Sequence, residues 1–301
     1  MLRRGTYSIV ARDPHAGELG VAVQSHWFAV GPIVPWVRAG VGAVATQSIA
    51  EPAYGPQLLD RLVAGERAHS ALDALLGADE QARFRQVAVV DAHGNVATHT
   101  GEGCIAYAGH VAGHEFSAQA NMMASSEVWP AMAHAFEAAA GPLARRLMAA
   151  LHAAEARGGD ARGRQSAALV VAAPGDEPWR HAIDLRVDDD PEPLARMDRL
   201  LDLSDAYALA TDGDDLVGRG LHDEAGERYR KASELAPDNH ELMFWAGLAA
   251  AQAGDLPTAV DRVRAAIALQ PGWRELLRRL DPEIAPGAPA VRAALDGDER
   301  L

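Results

Sequence analysis

The stretch Gly5-Thr6-Tyr7-Ser8-Ile9-Val10-Ala11-Arg12-Asp13 decides how the rest of the chain is read. By composition it is a short strand with a hydroxyl residue at its head and a turn signal at its end. Thr6 and Ser8 are two apart and therefore share one strand face. The Gly5–Thr6 bond is a candidate point of self-cleavage. Cutting it leaves Thr6 with a free α-amine beside its own hydroxyl, a nucleophile and a base in one residue. An α-amine titrates near neutrality, at about 7.7–8.0, so it accepts the hydroxyl proton without a histidine. If the bond stays intact, Thr6 is one more strand-forming residue.

Outward from this strand, Asp13–Gly17 reads as a turn and Leu19–Ser25 as the returning strand of a hairpin. Gly31-Pro32 and Pro35-Trp36 read as breaks, and the small-residue run Gly40–Ser48 as a further strand. Helical spacing marks Tyr54–Ala64 and His69–Leu76. A hairpin follows, Gln86–Asp91 and Val96–His99, around Ala92-His93-Gly94-Asn95. The glycine-rich Gly101–Gly113 suggests short strands, and Glu115–Asn121 another. Ser125–Ala139 and Pro142–Arg157 read as a second helix pair. The polar loop Gly158–Arg164 leads into the apolar strand Gln165–Ala172, and His181–Val187 ends this part. Strands come in hairpins and helices in pairs, not in alternating βαβ units. The pattern therefore predicts an α+β fold of antiparallel sheets with helices outside.

The bulk properties exclude several classes. With 49% apolar and 23% charged residues, the chain has a globular composition. A net charge of −14 argues against nucleic acid or an anionic membrane as partner. No apolar run reaches the ~18–20 residues that span a bilayer, and no signal-peptide core follows Arg3 and Arg4, so the expected compartment is the cytoplasm. The only cysteine, Cys104, excludes an internal disulfide and reads as a small buried hydrophobe. The only lysine is Lys231, so the first 230 residues hold no Schiff-base lysine, P-loop lysine or Ser-Lys dyad. His99, His110 and His114 lack the spacing of a metal site, and no nucleotide fingerprint follows a strand, so neither metal nor cofactor is expected.

Beyond about Arg196 strand signals stop and Ala, Leu, Asp and Glu dominate. Gly220, Ala225, Tyr229, Ala232, Leu235 and Pro237 recur 34 positions later as Gly254, Ala259, Val263, Ala266, Leu269 and Pro271. This period, with small residues where helices cross and a closing proline, resembles the tetratricopeptide repeat over residues 205–273. Two repeats are fewer than the three or so a free solenoid needs, so the pair should lean on the first domain, the tail at Trp273–Leu280 or another subunit. The proline-rich stretch 283–290 reads as a loop or a frayed end. The expected division is 1–203 and 204–301.

Several segments of the first part go together: Thr6–Asp13, Gly17–Ser25, Val34-Pro35-Trp36, Ala39–Gln47, Ala108-Gly109-His110 and Gly163–Leu169. In this order they resemble the bacterial family called domain of unknown function 1028, assigned to the N-terminal-nucleophile (Ntn) hydrolase superfamily, over about residues 5–203. The resemblance implies a four-layer αββα sandwich and hydrolysis of an amide bond by an N-terminal nucleophile, which falls on Thr6 once residues 1–5 are lost. Proteasome-type members also use a lysine near the nucleophile, for which this domain has no counterpart, so the α-amine is left as the base.

Around that nucleophile, Ser8 is a candidate neighbouring hydroxyl, or the site itself if the leader stays. Gln24-Ser25-His26 either orients the nucleophile, touches substrate or only caps a strand end. Asn121 is a candidate oxyanion donor or a turn residue. Asp160 is a candidate holder of an arginine or of the Thr6 amine. Arg162 and Arg164, with Gln165 and Ser166, are candidate binders of a substrate carboxylate, the alternative being a solvated loop. The expected activity is that of an amidohydrolase on a small amide. The alternative is a non-catalytic scaffold whose repeat pair binds a protein or mediates self-association.

Overall fold

The computed structural model describes residues 5–177 and 180–298. Residues Met1–Arg4, which precede the candidate cleavage point, lie outside the described residues. The chain divides into two units, Met1–Asp198 and Arg199–Leu301.

The first unit begins with strands β1 (Thr6–Arg12), β2 (Leu19–Ser25), β3 (Pro35–Arg38) and β4 (Gly42–Ser48), followed by helices α1 (Tyr54–Val63) and α2 (Ala68–Ala78). Next come β5 (Arg85–Asp91), β6 (Val96–Thr100), β7 (Gly109–Gly113) and β8 (Phe116–Asn121), then α3 (Val128–Ala138), α4 (Leu143–Ala156), β9 (Ser166–Ala172) and β10 (Ile183–Val187). A long helix, α5 (Pro193–Gly218), contains the boundary between the units. The second unit continues with α6 (His222–Leu235), α7 (His240–Gln252), α8 (Leu256–Leu269), α9 (Gly272–Arg279) and α10 (Ala288–Asp298). No helix among the described residues is long and apolar enough to cross a membrane.

The strands form two antiparallel sheets, one ordered β10-β9-β2-β1-β8-β7 and the other β3-β4-β5-β6. Their facing sides share one apolar core, with Val10, Val21, Val23 and Val170 of the first sheet against Val37, Ala43, Ala45, Ala88 and Val90 of the second. The outer side of the second sheet is covered by α1 and α2, where Leu58, Leu59, Ala71 and Leu72 meet Val44, Val87 and Val89. The outer side of the first sheet carries α3 and α4. There Phe136 packs on Phe116, and Leu143 and Leu147 sit over Gly20. The chain is thus α+β, with helix pairs segregated to the outer sides of stacked antiparallel sheets.

Two local expectations need correction. Pro35-Trp36 does not break the chain but opens β3, an edge strand paired only with β4. Proline is tolerated there because an edge strand has one side without ladder partners. Of Gly101–Gly113 only Gly109–Gly113 is strand, and the preceding glycines form a loop close against Arg83 and Phe84.

In the second unit the 34-residue period is carried by whole helices. The spans of α6 and α8 are offset by 34 residues, and so are the last thirteen residues of α5 from α7. The repeated positions Ala225/Ala259, Tyr229/Val263 and Ala232/Ala266 are all buried, whereas Leu235 and Leu269 are both exposed. Gly220 and Gly254 both have positive φ, 74° and 90°, in the turns before α6 and α8. The stretch 283–290 is loop only to Gly287, after which α10 begins and buries Ala288, Val291 and Leu295 beside Phe244 and Val263.

Helix α1 lies so close to β3 that a Cβ on Gly55 would fall inside the Trp36 indole. Gly55→Ala should therefore lower the unfolding free energy by about 1–3 kcal/mol, the usual cost of overpacking, measured by urea denaturation. Gly77→Ala, in open space on α2, is the control and should not be destabilising.

Candidate functional site

Thr6 sits at one end of β1, flanked by Ser25 of β2 and Asn121 of β8 in direct register. Three strand ends therefore meet at one point, which the pairing register decides. The loop after α4 is tied to the same point. Met123 pairs with Asp160, and the Ala161 amide donates to the Met122 carbonyl at 3.1 Å. Gly158 and Gly159, with φ of 99° and 53°, make the turn that delivers it.

The contacts at Thr6 are specific. Its Oγ1 lies 3.0 Å from Ser25 Oγ, and Ser25 Oγ donates to the Gly5 carbonyl at 2.6 Å. Arg162 Nη2 donates to the same carbonyl oxygen at 3.0 Å. Since Ser25 has one proton and directs it at Gly5, the Thr6 hydroxyl is the donor in the Thr6–Ser25 pair. Asp160 is buried and holds Arg162 through 2.8 Å and 3.1 Å contacts to the guanidinium, while the His26 amide donates to it at 3.3 Å. A Cβ on Gly5 would come within 2.6 Å of the Asp160 carboxylate, so a larger residue before Thr6 would have to displace that side chain. Thr6 itself is 1% exposed.

Behind Thr6 a chain of buried side chains crosses between the sheets. Ser117 donates to Gln119 Oε1 at 2.9 Å, Gln119 to Ser8 Oγ at 2.6 Å, and Ser8 to Gln47 Oε1 at 2.7 Å. Gln47 Nε2 donates to Gln86 Oε1 at 2.8 Å and to the Thr6 carbonyl at 3.2 Å. Asn121 Nδ2 donates to Gln86 Oε1 at 3.0 Å and approaches the Thr6 carbonyl at 3.4 Å. The Thr6 peptide is thus gripped from β4 and from β8. A small cavity of about 140 Å³ opens beside Asn121, lined also by Ser48, Ile49, Phe84, Ile105 and Met122. Two of its lining residues, Ser48 (φ 72°) and Met122 (φ 62°), occupy the left-handed region that non-glycine residues rarely adopt. Backbone held this way costs of order 1–3 kcal/mol and clusters at functional sites.

Of the residues singled out from sequence, Thr6, Ser25, Asn121, Asp160 and Arg162 converge here, with the His26 backbone. Ser8 lies inside the glutamine chain, fully buried. The others make their polar contacts elsewhere. Arg164 pairs with Glu155 at 2.8 Å and with Glu192, Gln165 donates to Asp189 at 2.9 Å, and Ser166 Oγ accepts from the Val30 amide at 3.1 Å. Glu155 also accepts from Tyr7 at 2.5 Å. Burial first, and then the Glu155 charge, hold the Tyr7 hydroxyl well above its ordinary titration range. Gln24 is fully buried with no partner for its carboxamide among the described residues. Cys104 Sγ points at the Arg85 carbonyl (3.4 Å), and burial pushes its thiol up, away from a nucleophilic thiolate. No cluster of metal-ligating side chains occurs among the described residues.

Gln47, Gln86 and Gln119 were not singled out from sequence. The available signal was a carboxamide within each of three strands that also carry other polar residues, a costly placement if buried unless the groups meet.

Residues 6–197 match the family of unknown function DUF1028. The chain belongs to this family. Among solved structures, it is similar to the crystal structure of a DUF1028 protein from Silicibacter pomeroyi, with 32% identity and a TM-score of 0.61. The match covers 65% of this chain and 84% of that one. No curated protein matched the chain. The DUF1028 match ends at residue 197, next to the boundary between the two units, so the site around Thr6 lies wholly within the family's domain.

Gln47→Leu should lower stability by about 2–4 kcal/mol, because the Ser8 and Gln86 groups that it pairs lose a partner in a buried setting. Chemical denaturation checks this. A change below about 0.5 kcal/mol, the range of ordinary surface substitutions, would show that the chain of carboxamides contributes nothing to holding the sheets.

Proposed function

We propose that the DUF1028 domain of this chain is an Ntn-type amidohydrolase whose nucleophile, Thr6, is released by cleavage of the Gly5–Thr6 bond. The observation that carries this reading is the double donation to the Gly5 carbonyl by Ser25 and Arg162, next to the Thr6 hydroxyl. A peptide carbonyl held by a hydroxyl and a guanidinium is polarised for attack, and negative charge developing on its oxygen is met by both donors. In the proposed step Thr6 Oγ1 bonds to the Gly5 carbonyl carbon, and the Gly5–Thr6 C–N bond breaks. Ser25 takes the hydroxyl proton as it releases its own to the departing nitrogen, which becomes the Thr6 α-amine, while Arg162 stays on the carbonyl oxygen. Water then hydrolyses the Gly5 ester and frees the leader.

In turnover the same Oγ1 attacks a substrate amide, with the new α-amine taking the proton and handing it to the leaving amine. The acyl-enzyme is then hydrolysed. Asp160 and Arg162 stay beside the amine, and the cavity next to Asn121 is of a size for a small acyl group. The stacked antiparallel sheets with outer helix pairs agree with the four-layer αββα sandwich of that superfamily.

The helical unit is read as a tetratricopeptide-like pair that binds a protein segment. The support is the 34-residue offset of whole helices and the matched burial at the repeated positions. A second overall reading, a non-catalytic DUF1028 scaffold serving this helical unit, is favoured by the near-complete burial of Thr6.

Intact-mass measurement separates the two. The purified chain should lose residues 1–5 and begin at Thr6, and Thr6→Ala should keep its leader. Arg162→Gln should slow the cleavage by roughly 10²–10³-fold, the usual effect of removing one oxyanion donor. An uncut chain that hydrolyses amides, or a Thr6→Ala chain that still loses its leader, rejects the Thr6 mechanism.

A further inference from the structure

The helical unit contains a cavity of about 550 Å³, within the range of small-ligand and side-chain pockets. Its walls are contributed by α5, α6, α7 and the loop before α10. Three aromatic side chains line it, Tyr207, Tyr229 and Trp245, together with two carboxylates, Asp214 and Glu241, and the exposed Ile284 at its rim. Each carboxylate is fixed by a tyrosine. Tyr229 donates to Asp214 Oδ1 at 2.5 Å, and Tyr207 to Glu241 Oε2 at 2.6 Å. Burial, and then the adjacent carboxylate, hold both tyrosine hydroxyls above their ordinary range, so they remain donors.

Neither Asp214 nor Glu241 forms an ion pair among the described residues, although most other acidic side chains on α6 and α9 do. From Leu200 to Gly218, α5 carries five aspartates and neither lysine nor arginine. Apart from Thr211 and Gln252 the remaining lining is apolar, including Val217, Leu242 and Leu248.

We infer that this cavity binds a lysine or arginine side chain presented by an apolar segment of a partner protein. Fixed carboxylates supply the countercharge, aromatic faces attract a cation electrostatically, and the apolar wall covers the aliphatic stem of a long basic side chain. An acidic segment is repelled by these two carboxylates, and a neutral polar one offers them hydrogen bonds without countercharge. The inference deepens the recognition role proposed for the helical unit and does not depend on the chemistry at Thr6.

Fluorescence anisotropy with the full chain tests it, using labelled short peptides of alternating Leu-Arg, Leu-citrulline and Leu-Glu. The Leu-Arg peptide should bind, and at least about tenfold more weakly when salt is raised from about 50 to about 500 mM. The double variant Asp214→Asn, Glu241→Gln keeps an acceptor for each tyrosine while removing both charges. It should weaken Leu-Arg binding by at least about tenfold, with a thermal melt confirming that it is folded. Ile284→Lys, at an exposed position, places a cation at the rim and should weaken binding similarly.

Equal binding of Leu-citrulline overturns the cationic assignment while leaving peptide recognition by the unit standing. Unchanged binding to both the double variant and Ile284→Lys shows that the basic peptide binds elsewhere on this acidic chain and overturns the site. Absence of Leu-Arg binding, including the case in which free spermidine binds instead, overturns the peptide as occupant.

Discussion

The first unit depends on a chain of buried carboxamides. Gln47 reaches from β4 across the space between the sheets to Ser8, to Gln86 and to the Thr6 carbonyl. Polar groups in this position cost several kcal/mol if unpaired, so they impose one register and one separation on the sheets. An apolar interface alone tolerates sliding and repacking far better. The network therefore does two things with the same atoms. It fixes how the sheets face each other, and it holds the first peptide of β1 in place.

That second effect connects architecture to chemistry. Thr6 is at a strand end, a position that ordinarily frays. Here its carbonyl is held from β4 and β8, its hydroxyl by β2, and the preceding carbonyl by Ser25 and Arg162. Asp160 fixes Arg162 and lies against Gly5, where a Cβ would meet its carboxylate. Such over-determination, next to two residues in left-handed backbone, holds the Gly5–Thr6 peptide in one geometry.

The helical unit is organised differently. Its cores are local: Phe244, Val263 and Val291 in one cluster, and Ala206, Ala232 and Leu242 in another. Small residues at the repeated positions let neighbouring helices pack closely, and the period of the sequence becomes the period of the helices. In such arrangements each helix pair buries its apolar face mainly against its neighbours. The cavity is lined in part by these same core residues, Leu242 and Leu248 among them, while Asp214 and Glu241 accept from tyrosines of neighbouring helices.

Much of this was legible in the residues themselves. Alternation, turn chemistry and helical spacing marked nearly every element of the first unit, and self-comparison marked the repeat, because these signals are local. Paired strands and paired helices also fixed the α+β class, since short connections force antiparallel neighbours. Thr6, Ser25, Asn121, Asp160 and Arg162 stood out singly as hydroxyl, amide or charged groups at strand ends and in a polar loop. Their meeting was decided only by the tertiary structure. Register places Ser25 and Asn121 opposite Thr6, and the bridge at Met123 brings the Asp160 loop to them, whereas Arg164 and Gln165, one turn of sequence further on, are directed to other partners. The glutamine chain was hidden for the same reason. A carboxamide in a buried strand reads as an exception until the strand that satisfies it, some forty to seventy residues away (Gln47 with Gln86 and Gln119), is known. Sequence determines which groups are available and on which side of a strand they lie. Long-range pairing, enforced by the cost of burying an unpartnered polar group, determines which of them act together.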